Sequence, residues 1–318
     1  MLNHILIQYK TIGADYMERI AETAKKFGCK FCYDESLKKY NTFKLGGNCR
    51  LLVKINSAES CIAVKKACKE NDIPYVVIGN GSNLIVDDDG FNGVVILIGN
   101  DFSEIKLVSD TEIYCEAGAL LSAFCVFSRE NSLSGAEFAY GIPGSIGGAV
   151  YMNAGAYGGE IKDIISYCDV IDENNEIKRL TSDELSLSYR HSSVMGTEKI
   201  IVGAAFSLKK GDKSEIKSAM EDFMNRRKSK QPLEYGSAGS TFKRPEGSYA
   251  SLLIDQCGLK GYSVGGAEVS EKHAGFVINK NNATFSDVMS VVEDVRKIVK
   301  EKTGYVLECE PVIISDKK

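Results

Sequence analysis

Two glycine-rich segments carry the residue types best suited to hold a large anion. The first, Gly79-Asn80-Gly81-Ser82-Asn83, directly follows the strand-like run Tyr75-Val76-Val77-Ile78. Glycines there let the backbone turn sharply, so successive N–H groups can converge on a phosphate. A plain strand-terminating loop answers to the same five residues, and the motif alone leaves both readings open. It is not a dinucleotide fingerprint, because Leu84 stands where the third glycine belongs and β-rich sequence follows in place of a helix. No Gly-Lys-Ser/Thr occurs, which excludes a P-loop. The second segment runs from Tyr140 through Gly141, Gly144, Ser145, Gly147 and Gly148 to Asn153, Gly155 and Gly158. Each glycine costs roughly 0.5–1 kcal/mol relative to alanine within regular structure, so such density asks for a reason. Close backbone approach to a flat or charged ligand is one. Two such loops in an acidic chain point to one large phosphate-bearing cofactor.

The elements that must position these loops alternate in type. Met17, Ile20, Ala21, Ala24 and Phe27 repeat at helical spacing over residues 14–27, with Gly28 placed as a C-cap. Phe43 to Ile55 reads as a turn and a strand, and Ser57 caps a helix to about Asn71. Strand-like runs follow at Leu84 to Val86, Val94 to Ile98 and Glu112 to Glu116, and a helix at Leu120 to Asn131. Further strands fall at Tyr167 to Ile171 and Ile200 to Leu208. Asp212 with Glu215 resembles a capping box, and Pro232 closes the helix it starts. A helix over Asp287 to Lys302 stops at Gly304, and Tyr305 to Ile314 reads as a final strand with Pro311 suggesting a sheet edge. The mixture predicts an α/β or α+β chain with boundaries near 108 and 211.

Composition narrows the class. The chain has 318 residues, 44% hydrophobic and 26% charged, with a net charge of -4. This suits a globular protein of two or three domains and argues against a nucleic-acid or membrane-surface binder. The longest apolar run, Ile200 to Leu208, falls short of the ~20 residues that span a bilayer. Met1 to Ile7 shows no export-signal pattern, so a cytoplasmic protein is expected. Ten cysteines in such a chain read as reduced thiols, and Cys29-x-x-Cys32 without a second pair does not make a zinc site. With only three histidines, no metal is expected.

The paired loops resemble the flavin-binding domain of vanillyl-alcohol-oxidase-type flavoproteins. Further blocks resemble one member family, the UDP-N-acetylenolpyruvoylglucosamine reductases (MurB) of peptidoglycan synthesis. They are Asn41-Thr42-Phe43 with Gly46-Gly47, Tyr189-Arg190-His191-Ser192, Gly239-Ser240-Thr241-Phe242-Lys243-Arg244-Pro245, and Gly258-Leu259-Lys260-Gly261. Gly265-Gly266-Ala267, Ser270 to Phe276 and Leu307-Glu308-Cys309-Glu310 complete the set, in family order over residues 38 to 314. The resemblance implies an α+β fold: a two-subdomain FAD-binding unit of the vanillyl-alcohol-oxidase/PCMH type and a C-terminal α/β substrate-binding domain. It divides the chain into a helical extension (1–30), two FAD-binding subdomains (31–108 and 109–211) and a substrate-binding domain (212–318). The absence of a tyrosine-bearing insertion resembles the compact type II reductases.

The same resemblance implies non-covalent FAD, NADPH as hydride donor and a UDP-sugar substrate, with no protein partner. Ser240 matches the family's proton donor, Arg190 its carboxylate partner and Glu310 its acid, with Glu308 as rival. Hydride arriving on an enolpyruvyl double bond leaves charge beside a carboxylate, which needs a fixed cation and then a proton. Lys230 matches a substrate lysine, with Arg227, Arg244 and Tyr189 as further contacts. His273 reads as structural. An FAD-dependent carbohydrate or alcohol oxidase on the same cofactor fold is the alternative. A serine hydrolase using Ser240, His273 and Glu310 lacks the Gly-x-Ser-x-Gly elbow.

Overall fold

The computed structural model describes residues 4–5 and 14–316. Most of Met1 to Ile7, and so the reading placed on it, lies outside them. Helix α1 (Ala14–Lys26) buries Met17, Ile20, Ala21 and Ala24, and Gly28 follows at φ 70°.

A first sheet has the strand order β1 (Lys30–Ser36), β2 (Asn48–Ile55), β5 (Phe91–Ile98), β3 (Tyr75–Ile78). β2, β3 and β5 run parallel, and the crossover from β2 to β3 is helix α2 (Ala58–Glu70). Ser57 begins α2 with a reciprocal box, its Oγ accepting from Ser60 N and its N–H donating to Ser60 Oγ, both at 3.1 Å. β2 starts later than its apolar residues suggest, because Lys44 (φ 61°) and Gly46 (φ 112°) turn the chain first. The short strand β4 (Leu84–Val86) leaves this sheet.

The second sheet is antiparallel, with the order β9 (Ile177–Thr181), β8 (Ile165–Ile171), β10 (Ile200–Ser207), β7 (Glu112–Glu116), β6 (Ile105–Leu107). Helix α3 (Leu121–Glu130) and the six-residue α4 (Ile146–Tyr151) flank it. One apolar core joins both sheets, including Leu51, Val94, Phe124 and Phe206.

A separate core surrounds α7 (Phe285–Thr303), whose Val288, Val291, Val292, Val295 and Val299 are all buried, and Phe43, Leu45 and Ile85 from the first half of the chain reach into it. With α7 pack α6 (Ala250–Gln256) and the hairpins of β11 (Ser263–Val264), β12 (Ala267–Val269) and β13 (Val277–Asn279), whereas α5 (Lys213–Lys230) lies against α3 and buries Ile216 and Met220 in the core of the two sheets. Asp212 caps α5 one-sidedly, its Oδ1 accepting from Ser214 N and Glu215 N. Gly304, at φ 78°, ends α7.

The final strand is a correction. Only Val312–Ile314 (β14) is a strand, and Cys309 makes an isolated bridge to Phe242. β14 is no edge: it lies parallel between His4–Ile5 and β4. Pro311 precedes it, where its missing N–H breaks no ladder bond, and Val312 N donates to Asn83 O at 2.9 Å. Among the described residues, no helix is long and apolar enough to cross a membrane.

Candidate active site

The two glycine loops meet. Asn80 Nδ2 donates to Pro143 O at 2.7 Å, and a Cβ on Gly79 would stand 2.3 Å from Ser145 Oγ. Gly81 (φ 63°) lets the first loop pass under Tyr40, since a Cβ there would reach within 2.0 Å of Tyr40 O. A Cβ on Gly144 would come to 3.9 Å from Ser82 Oγ. Beside this junction opens a cavity of about 450 Å³ lined by Gly79, Asn80, Ser145, Gly118, Tyr40 and Lys54, among others. Ser145 Oγ is buried there with no hydrogen-bond partner among the described residues. An orphaned hydroxyl between two glycine loops, with no room for a Cβ at Gly79 or Gly81, fits an extended phosphate-bearing ligand such as FAD.

Two residues expected on the cofactor are otherwise engaged. Gly147 N donates to Ala117 O at 2.8 Å, so that N–H is spent on packing α4. Asn153 is fully buried at φ 42°; its Nδ2 donates to Glu160 Oε2 (2.6 Å) and Ser188 O (2.9 Å), and its Oδ1 accepts from Lys162 N (2.9 Å). Both N–H groups of the Asn153 amide are thus committed within the protein. It fixes Ser188, at the start of the turn that presents Tyr189 and Arg190.

That turn is closed by reciprocal bonds, Ser188 N to His191 O (3.2 Å) and His191 N to Ser188 O (3.1 Å). Ser192 Oγ ties its far side to Tyr151 O at 2.7 Å. Arg190 sits at φ 51°, a left-handed conformation that costs a non-glycine residue energy and that the surrounding bonds hold in place. Its Nε donates to Glu310 Oε1 at 2.6 Å, and Nη2 lies 3.4 Å from Gly155 O.

Glu310 is 8% exposed. Burial pushes its carboxyl above the ordinary value, and the charge and hydrogen bond of Arg190 pull it back in part. Glu308, by contrast, is exposed and faces Lys243 at 3.5 Å. The two acids flank Cys309 in one extended segment, and only Glu310 is buried and paired with Arg190.

Thr241 brings Ser240 to this pair. Its carbonyl accepts from Glu310 N (2.9 Å), its N–H donates to Gly275 O (2.8 Å), and its Oγ1 accepts from Val277 N (2.9 Å). Thr241 is 1% exposed, and spacing gave no hint of its role as the joint. Ser240 precedes it, half-buried, its hydroxyl unbonded among the described residues. Asn83 Nδ2 lies 3.5 Å from Glu310 O, so the end of the first glycine loop abuts the acid.

Outward from Arg190 the site is aromatic and cationic. The Arg190 guanidinium lies 5.2 Å from the Tyr189 ring centre, and Tyr189 Oη accepts from Arg244 N at 3.0 Å. Arg244 in turn stacks 4.5 Å over Tyr249, a contact the sequence did not signal. Arg227 packs its Cδ against Gly141, 3.0 Å from where a Cβ would be, and burial lowers its pKa; it has no ion pair among the described residues. Tyr157 stacks on Phe223 at 4.8 Å, fixing α5 to the second glycine block. Lys230 is exposed at the end of α5.

Along its length the chain is similar to known proteins. Residues 49–181 match the family described as an FAD binding domain. Residues 231–314 match the UDP-N-acetylenolpyruvoylglucosamine reductase C-terminal domain. A UDP-N-acetylenolpyruvoylglucosamine reductase of Clostridium novyi is 48% identical over 282 residues, covering 88% of this chain and 91% of that protein. The chain belongs to the UDP-N-acetylenolpyruvoylglucosamine reductase family. One from Clostridium perfringens is 46% identical across 98% of this chain and 99% of its own. The crystal structure of the reductase from Thermus caldophilus shares the fold, with a TM-score of 0.77 at 33% identity, over 90% of this chain and 99% of that one. The α+β architecture, a flavin-binding unit followed by a reductase C-terminal domain, is thus the family's.

Proposed function

We propose that this chain reduces the enolpyruvyl group of UDP-N-acetylglucosamine enolpyruvate to UDP-N-acetylmuramate, a step of peptidoglycan precursor synthesis in the cytoplasm, with NADPH as donor. The observation that carries the reading is the Arg190–Glu310 pair at 2.6 Å, joined through Thr241 to Ser240 and abutting the first glycine loop. FAD, held without a covalent bond between the loops at Gly79–Asn83 and Gly141–Gly148, supplies two-electron chemistry linking nicotinamide and enolpyruvyl group.

Arg190 binds the substrate carboxylate and stays charged throughout, so the enolate-like charge that develops beside that carboxylate meets a fixed cation. Glu310, its carboxyl kept toward the neutral form by burial, hydrogen-bonds the same end of the substrate. The Ser240 hydroxyl, free of other partners, gives its proton to the adjacent carbon. A hydroxyl is a weak acid, but a carbanion-like carbon is a strong base, and Arg190 favours the alkoxide left behind. Lys230, Arg227, Arg244 and Tyr189 hold the nucleotide portion.

Anaerobic stopped-flow absorbance tests this. NADPH should bleach the flavin band, and the enolpyruvyl UDP-sugar should restore it. In Ser240→Ala, bleaching should persist while the return slows by about 100-fold or more. A yellow protein indifferent to the UDP-sugar overturns the reading. Equal loss of both phases in Ser240→Ala makes that serine structural.

A further inference from the structure

The cofactor cavity has two ends. At the inner end lies Thr42, whose Oγ1 donates to the carbonyl of Ser237 at 2.6 Å, three residues before Ser240. At the outer end lie Lys30, Lys54, Leu97 and Asp101. Strand register builds that end. Lys30 on β1 pairs with Lys54 on β2, and Lys54 with Leu97 on β5, so the three stand abreast across the first sheet. Ammonium groups directly opposite one another on neighbouring strands repel. Lys54 turns its Nζ to the Tyr40 ring, 5.4 Å from the centre. Lys30 reaches for Asp101, its Nζ lying 3.2 Å from Oδ1 and 3.1 Å from Oδ2.

Asp101 stands three residues beyond the end of β5, in the segment that carries the chain from the first sheet to the second. That segment is fixed. Phe102 is 6% exposed; its N–H donates to Gly99 O (2.9 Å) and its carbonyl accepts from Gly118 N (3.0 Å). A Cβ on Gly118 would come within 2.1 Å of Gly99 O, so the two segments touch backbone to backbone. Lys30, by contrast, begins an edge strand, and its side chain is 73% exposed against 38% for Asp101. β2 separates β1 from β5, an interval of roughly 10 Å. A flexible arm from the edge strand thus crosses that interval to a rigid anchor, at the surface of a cavity that both residues line. One solvent-exposed ion pair holds the arm, a contact weak enough to open and close in solution.

We propose that the Lys30–Asp101 pair is a gate across the outer mouth of the cofactor cavity, which opens for FAD to enter or leave and closes again without gripping it. The inference rests on the functional reading above only for FAD as the occupant. A gate of this kind slows entry and release by the same factor and leaves the equilibrium affinity alone. A residue that merely touched the cofactor, or merely supported the fold, would change release and affinity together.

Flavin fluorescence tests it. Stopped-flow mixing of the cofactor-free protein with FAD gives the association rate, and dilution of the loaded protein gives the release rate. Lys30→Met and Asp101→Asn should each raise both rates about threefold, the scale of an exposed ion pair, with Kd unchanged. The double variant should be no faster than either single one, because each removes the same contact. Exchanging the charges, Lys30→Asp with Asp101→Lys, should restore the slow rates. An unchanged association rate, or faster release with weakened affinity, overturns the proposal. Should a variant fail to fold, the wild type decides by its response to salt between about 20 and about 500 mM NaCl. Screening a plain attraction between lysines and phosphates would lower the association rate, whereas loosening the gate raises it; a rate that falls or stays level overturns the proposal. A wild type gated in this way that cannot reduce the enolpyruvyl sugar would sink the functional reading and leave this one standing.

Discussion

At Glu310 two opposing pressures act on one carboxyl. Loss of water around a group that is 8% exposed favours the neutral form, while Arg190 at 2.6 Å favours the charged one. The net direction is upward from the ordinary value of 4.5. A carboxyl whose folded pKa exceeds its unfolded pKa contributes stability that is full below the unfolded value and is lost as pH rises through the folded one. Glutamine mimics the protonated acid at every pH. The melting temperature of Glu310→Gln relative to wild type should therefore climb as pH rises from about 4.5 to 8, measured without substrate. A difference that stays flat, or moves the other way, would show that Arg190 outweighs burial and that Glu310 works as a carboxylate.

Among the secondary-structure elements, those stabilised by neighbours in sequence were legible and those stabilised from a distance were not. Helix α2 is bounded by Ser57 and Asn71 because its cap is made by residues three apart, and α7 by Gly304 because only a left-handed residue satisfies its last turn. The expected strand over Tyr305 to Ile314 shrank to β14, because the bonds of the preceding residues go to Thr241 and Lys243 and form no continuous ladder. The glycine loops announced themselves by composition. Arg190 and Glu310, 120 residues apart, carried no spacing signal, and only the family resemblance singled them out. Asn153 also does structural work that its place in a glycine block does not announce: with a left-handed backbone and full burial, its amide holds Glu160 and Ser188. Thr241 was passed over because a buried threonine, unlike a glycine or a charged residue, looks the same in sequence whether it fills space or joins three segments.

Over the whole molecule, the cofactor cavity depends on how the first two sheets face one another. Its walls come from both: Lys54, Gly79 and Leu97 on one side, Gly118, Leu120 and Ser145 on the other. Far from that cavity, α2 of the first sheet reaches the turn between β8 and β9 of the second. Lys65, with no exposed surface, donates from Nζ to Asp172 O at 2.5 Å, and burial lowers its pKa. Lys69 adds a bond to Glu173 O at 3.2 Å and a pair with Glu198 at 2.5 Å. Burying an ammonium for one carbonyl is costly unless the bond is retained for the geometry it imposes. Lys65→Met keeps the stem and removes the latch. The lost charge-assisted bond and the relieved desolvation offset one another, leaving a net cost of about 1 kcal/mol. That corresponds to about 2 °C in melting temperature. If the latch holds the cavity walls in register, FAD must then supply the missing alignment, and its affinity should fall about fivefold, the factor equivalent to 1 kcal/mol. Fluorescence titration of the cofactor-free protein with FAD measures this. An affinity equal to wild type in a protein that melts lower would show that the apolar core between the sheets sets the cavity alone, and that Lys65 only holds the hairpin.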